Sequence, residues 1–244
     1  MQSIPLQQKL KQLNWSIVLF TMLVFGLLIK LGFWQMTRAL EKEQRQQRIS
    51  ELSQREALFL SQVLTLKDLK DGINDLPIQL QGEFIEDFVF LLDNQPDKSR
   101  LGYRVYQVIE SNDSAILVNL GWVQGSVDRN VLPDVVPVSG QYVIKGHVRE
   151  VELGIQLQEQ FFTQPTWPLR VQQIELDKFS QLINKKLLPF VVYLDKNDPV
   201  GFKKNWQPIV MPPEKHRAYA FQWFSLALAW LSLMVWAAIK NNKN

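Results

Sequence analysis

Two apolar stretches frame the chain, and the segment between them alternates. The second stretch is the cleaner. From Ala218 to Ile239 it carries 22 residues without a charge. At ~1.5 Å of rise per residue these cover roughly 33 Å as a helix, enough to cross a bilayer core. The first stretch runs from Leu13 to Ile29, is interrupted by Lys30, and resumes as Leu31-Gly32-Phe33-Trp34-Gln35-Met36. Taken whole it predicts a span over 13–36, with Lys30 reaching toward a headgroup and Trp15 and Trp34 at the interfaces. A signal peptide is disfavoured, because the apolar run is long and no small-x-small cleavage site follows.

Beyond the first span, Thr37 to about Leu66 is rich in Glu, Gln, Arg and Leu and lacks Gly and Pro. Ile49, Leu52, Phe59, Val63 and Leu66 fall near one helical face, which predicts a helical stalk over 37–66. Turn chemistry starts at Lys70-Asp71-Gly72, and the period then shortens to two. Seven strands are expected: Ile78–Phe84, Phe88–Leu92, Tyr103–Ile109, Ala115–Val123, Gln141–Arg149, Leu169–Ile174 and Leu188–Leu194. Clusters such as Asp93-Asn94-Gln95-Pro96 separate them. One helix, roughly Asp177 to Lys186, interrupts the series. The expected fold is therefore two transmembrane helices flanking an α+β, mainly antiparallel β domain of barrel- or sandwich-like form. The layout is a tail over 1–12, a domain over 37–215 with its β-rich part at 76–195, a second span over 216–239 and a tail over 240–244.

Composition changes this picture mainly by exclusion. With no cysteine, disulfides, Cys-ligated zinc or iron–sulfur clusters and thiol redox chemistry are excluded. The two histidines, His147 and His216, cannot build a His-rich metal site. The pI near 9.0 comes without a dense Lys/Arg block, so no nucleic-acid partner is expected, whereas a lipid bilayer is. Two crossings put both termini on one side. Lysines at 9, 11, 240 and 243 compete with Arg38, Lys42, Arg45 and Arg48, so the positive-inside rule does not assign the side.

Catalytic signatures are missing: no G-x-S-x-G elbow, phosphate loop, H-E-x-x-H or dinucleotide fingerprint occurs. No catalytic residue is therefore expected, and the chain does not read as an enzyme. Glu83, Glu86 and Asp87 read as a solvated turn, and His147 as a surface histidine on a polar strand face. Gly121-Trp122, closing the strand Ile116-Leu117-Val118-Asn119-Leu120, reads as a bend with a core tryptophan. His216 stands apart. At ~100° per residue, Tyr219, Ala220, Trp223, Ala227, Trp230 and Met234 lie within about 60° of it. This stripe is open to two readings. It is a packing seam with the first span, or it presents an axial haem ligand, His216, with Tyr219 and Trp223 lying against the macrocycle.

Several pieces, in order, resemble the surfeit-locus-one family, called Shy-one in yeast, of cytochrome oxidase assembly factors. Leu31-Gly32-Phe33-Trp34-Gln35-Met36-Thr37-Arg38 resembles its L-G-x-W-Q-x-x-R. Gly82-Glu83-Phe84 resembles its G-x-F, and Gly102-Tyr103-Arg104-Val105 its G-Y-x-V. Val118-Asn119-Leu120-Gly121-Trp122-Val123 resembles its V-N-x-G-W-V, although Leu120 replaces a common arginine. His216-Arg217-Ala218-Tyr219-Ala220-Phe221-Gln222-Trp223-Phe224 resembles its H-x-x-Y-A-x-x-W-F. The glutamine-rich stretch Val151–Phe162 departs from the family's proline-rich character. The resemblance implies a bacterial inner-membrane protein with cytoplasmic termini and a periplasmic central domain. It also implies a role in maturing oxidase subunit I, binding of haem a with His216 as iron ligand, and haem A synthase as a further partner. The alternative is a scaffold that steadies nascent subunit I without touching haem.

Overall fold

The computed structural model describes residues 15–66, 72–151, 162 and 165–241. The expected tail 1–12, most of the stretch 151–162 and the last residues of the chain lie outside these. In chain order the elements are α1 (Trp15–Ser53), β1 (Leu58–Phe59), α2 (Leu60–Leu66), β2 (Pro77–Asp97), β3 (Arg100–Ser111), β4 (Ser114–Gln124), β5 (Gly140–Glu150), β6 (Leu169–Val171), α3 (Leu176–Leu182), β7 (Leu187–Leu194) and α4 (Pro213–Asn241). Cuts after Arg48 and after Pro208 separate two compact units, one holding most of α1 with α4, the other everything between.

In the first unit, α1 and α4 are each long and apolar enough to cross a membrane. Their outer faces stay bare: Leu19, Leu23, Phe33, Phe221, Leu228 and Trp236 are all more than half exposed. A helix in a soluble core would bury such side chains; a bare apolar surface of this length suits a bilayer. The first span and the charged stretch after it form one continuous helix of 39 residues.

The stalk expected over 37–66 is interrupted. Helix α1 ends at Ser53, and the chain then forms β1 and the separate helix α2. No Gly or Pro forces the break. Leu58 and Phe59 pair in parallel with Ile78 and Gln79, and the Gln62 side chain accepts from the Phe59 N–H at 2.8 Å. The turn lets Leu60 and Val63 enter the core of the β domain, 6% and 0% exposed. Burial of two aliphatic side chains, each worth about 1.5–3 kcal/mol, outweighs the weak local preference for helix.

In the second unit the sheet closes. Strand β2 pairs β3, β3 pairs β4, β4 pairs β7, β7 pairs β5, and β5 returns to β2. Only β4–β7 is parallel within this ring. That is the connectivity of a five-stranded Greek-key barrel of the OB type. Two of the expected strands, Ile78–Phe84 and Phe88–Leu92, are halves of one bent β2. Its register against β3 jumps between Phe84 and Val89, where Glu86 and Asp87 bulge outward, exposed. The barrel interior is lined by Leu80, Leu91, Val105, Val118, Ile144 and Val192 among others. One polar side chain lies among them. Gln107, 0% exposed, donates to the Ile85 and Val138 carbonyls and accepts from the Val138 N–H, so its amide is satisfied.

A second apolar layer sits on the barrel's outside. Phe179 and Ile183, on and just beyond α3, join Val171, Phe90, Val108 and Leu117, with Phe179 stacked on Phe90 at 4.2 Å. Barrels of this type commonly bind nucleic acid or sugar on that outer face. Here the insertion between β5 and β7 covers it. At its edge the buried hydroxyl of Tyr106 meets that of Tyr193 at 3.0 Å. Burial, reinforced by Tyr193, holds the Tyr106 phenol well above its ordinary value of 10.0. The unfolded chain then ionises this group before the folded one does, so the stability it contributes is intact below about pH 10 and lost as pH rises beyond it. A Tyr106→Phe protein is expected to lose less melting temperature than the parent between pH 9.5 and about 11. Parallel losses in the two proteins would refute the assignment.

Candidate functional site

Helices α1 and α4 meet along a seam of small residues. Ala220 and Ala227 are 1% exposed, Ala39 is fully buried and Gly32 is buried. A side chain on Gly32 would run into the Phe224 ring, so the glycine permits this close approach. The helices run antiparallel. The indole of Trp230 donates to the Thr21 carbonyl at 3.3 Å, Phe224 packs edge-on against Phe33 at 5.4 Å, and Arg217 pairs with Glu43 at 2.6 Å.

His216 closes the head of this seam, in the first turn of α4 and 8% exposed. Its Nδ1 lies 2.7 Å from Oε1 of Gln35. A carbonyl oxygen only accepts, so Nδ1 is the donor of this contact. Nε2 is buried and has no hydrogen-bond partner among the described residues. Most buried polar atoms are paired, so an unpaired buried imidazole nitrogen is uncommon. An N–H anchored on a carbonyl, with the other nitrogen unpaired, is the arrangement metal-binding histidines use. Among the described residues no group of three or more His, Asp or Glu side chains gathers that could hold a metal ion.

The expected stripe divides. His216, Ala220 and Ala227 are buried in the seam, with Trp223, Trp230 and Met234 half-buried along it. Tyr219 is 45% exposed and turned off the seam. The packing reading therefore accounts for the alanines, and His216 keeps a free nitrogen within it. Gln35 was not singled out by sequence reasoning. Its signal was a lone amide between an apolar run and the charges that begin at Arg38.

The V-N-x-G-W stretch has a different job. Gly121 adopts φ +119, and the segment Phe202–Lys203 lies directly against it. Asn119 Oδ1 accepts from the Gly121 N–H at 2.9 Å, Trp122 N–H donates to the Lys203 carbonyl at 2.8 Å, and Phe202 N–H donates to the Leu120 carbonyl at 2.7 Å. The Trp122 indole donates to the Gln95 carbonyl at 2.7 Å. The bend expected at Gly121-Trp122 is thus a clamp that fastens residues 202–203 to the barrel wall. His147 is less exposed than a surface histidine. It lies on β5 with Nδ1 2.8 Å from Oδ1 of Asp195, without a hydrogen bond between them.

Compared with known proteins, residues 22–228 match the profile of the SURF1 family, running from within α1 into α4. The chain belongs to the SURF1 family. This is the surfeit-locus-one family of the motifs above, whose members are cytochrome oxidase assembly factors. No curated protein sequence matched the chain. Within this SURF1-family protein the first and last family motifs, L-G-x-W-Q and H-x-x-Y, are 181 positions apart and joined by the Gln35–His216 contact.

Proposed function

We propose that this protein takes up haem a through His216 and passes it to nascent oxidase subunit I. The observation that carries the reading is the buried, unpaired Nε2 of an imidazole whose other nitrogen is anchored on Gln35. Haem iron accepts a histidine nitrogen as an axial ligand. Gln35 orients the ring and keeps the proton on Nδ1, leaving Nε2 to bind. Because Nε2 is covered, cargo reaches it only when neighbouring side chains give way, and their return favours release. Trp223, half-buried on the same stripe, is the aromatic candidate for contact with the macrocycle; Tyr219, half-exposed, supplies a flanking one. The reading needs no covalent chemistry, and places the barrel in the periplasm of a bacterial inner-membrane protein, with haem A synthase as donor.

Co-expression with haem A synthase, purification and a visible spectrum test this. The parent is expected to carry haem a, and His216→Ala to lack it. A colourless parent that still captures subunit I would replace the reading by the scaffold one.

A further inference from the structure

Strand register on the barrel assembles a second site that is independent of the haem reading. Tyr106 pairs Asn119, Asn119 pairs Tyr193, and Tyr193 pairs His147. Four adjacent strands thus hold four polar side chains in one lateral row. Trp206, from the segment before α4, tilts over Tyr193 at 4.5 Å, and the Arg149 guanidinium lies 5.5 Å from the Trp206 ring. Between this tryptophan and the row is a cavity of about 370 Å³. That volume is at the small end of the range for small-molecule sites.

The polar groups of the cavity are not all spent. Asn119 is 3% exposed. Its Oδ1 is held by the Gly121 N–H, which fixes the amide plane, yet its Nδ2 makes no hydrogen bond among the described residues. The Tyr106 hydroxyl is near enough to feel that amide but is tied to Tyr193. Lys204 donates to the Val200 and Phe202 carbonyls, leaving the third donor of its ammonium. Burial lowers the basicity of Lys204, with Asp198 opposing, so a nearby anion would relieve its desolvation. Lys196 stands exposed at the rim. Of the two acids in the lining, Asp75 pairs with Arg149 at 2.8 Å, and Asp195 Oδ1 lies 2.8 Å from His147 Nδ1. What remains is two donors, Asn119 Nδ2 and the third N–H of Lys204, beside one unpaired acceptor, Asp195 Oδ1. The other walls, Ile49, Leu194, Trp206 and Pro208, are apolar.

We infer that this cavity binds a carboxylate attached to an apolar body, the carboxylate taken by Asn119 Nδ2 and Lys204 Nζ and the body laid along Trp206 and Leu194. A fatty acid and a porphyrin propionate share that chemistry. The test titrates carboxyl-labelled octanoate into the full-length protein in zwitterionic nanodiscs and follows its carbon resonance. A saturable shifted signal is expected, displaced by unlabelled octanoate but by neither octanol nor acetate. Asn119→Asp, which keeps the acceptor for Gly121 but removes the donor, and Lys204→Gln are each expected to weaken binding at least about tenfold. Lys204→Gln decides alone if the first variant does not fold. Absence of a saturable signal, equal displacement by octanol, or wild-type affinity in Lys204→Gln would overturn the proposal. The natural source is read with metal-free mesoporphyrin, which cannot ligate His216. Displacement by the diacid and not by its dimethyl ester identifies a propionate; displacement by neither identifies a fatty acid. A colourless parent protein would leave the octanoate result untouched.

Discussion

Gly121→Val is expected to yield little or no folded protein. At φ +119 a β-branched residue is strained by about 1–3 kcal/mol. Its Cβ would stand 2.8 Å from the Phe202 carbonyl group and the Lys203 oxygen, both backbone atoms that cannot rotate away. Such overpacking costs about 1–3 kcal/mol. Pushing the segment off would break the Trp122–Lys203 and Phe202–Leu120 bonds, at about 1 kcal/mol each. The total, about 4–8 kcal/mol, rivals the 5–15 kcal/mol by which a domain is normally stable. Chemical denaturation of the purified protein checks this. A midpoint unchanged from the parent would show that residues 202–203 are not clamped as described.

The second large effect belongs to the pair His216 and Gln35, and it separates ligation from packing. His216→Ala removes the proposed donor atom and should abolish haem a in the purified protein. Gln35→Leu keeps the donor but frees the ring to rotate and to move its proton to Nε2. Loss of such an orienting partner typically weakens metal binding 10–100-fold. Gln35→Glu restores an acceptor for Nδ1–H and should recover most of the affinity with a shifted spectrum, because a carboxylate makes the imidazole a stronger electron donor. If Gln35→Leu held haem as well as the parent, the proton assignment would fall. If His216→Ala did, the ligand would lie elsewhere.

The spans, the strand series and the helix α3 were legible because each carries a period that local physics enforces. Ala218–Ile239 has no charge to place in lipid, and Ala115–Val123 is a mostly apolar run of strand length, broken only by Asn119 and Gly121. The break at Ser53 was not legible. Residues 54–57 contain no helix breaker, and the reason for leaving the helix is the barrel core that Leu60 and Val63 enter. Nor was the fusion of two expected strands into β2, since Glu86 and Asp87 in its bulge carry the signature of a turn. His216 could be marked from the cost of an ionisable group at a membrane edge. Gln35 stands in the L-G-x-W-Q stretch as a lone amide, but its meaning arises only when a residue 181 positions later packs against it. The row of Tyr106, Asn119, Tyr193 and His147 depends on strand order, including one parallel pairing that no local pattern announces.

That long separation has a consequence for how the protein is made. At roughly 5–20 residues per second, the ribosome needs on the order of ten to forty seconds to go from Gln35 to His216. For all that time α1 is a solitary helix, its small-residue face turned to lipid and its glutamine without the imidazole. The barrel cannot seal before β7 emerges, since β7 joins β4 to β5. Only then do residues 202–203 find the groove at Gly121, and α4 follows a few residues later. Sealing the barrel and bringing His216 to Gln35 are therefore successive events, so a chain that stalls before them exposes α1 and an open sheet without the Gln35–His216 contact.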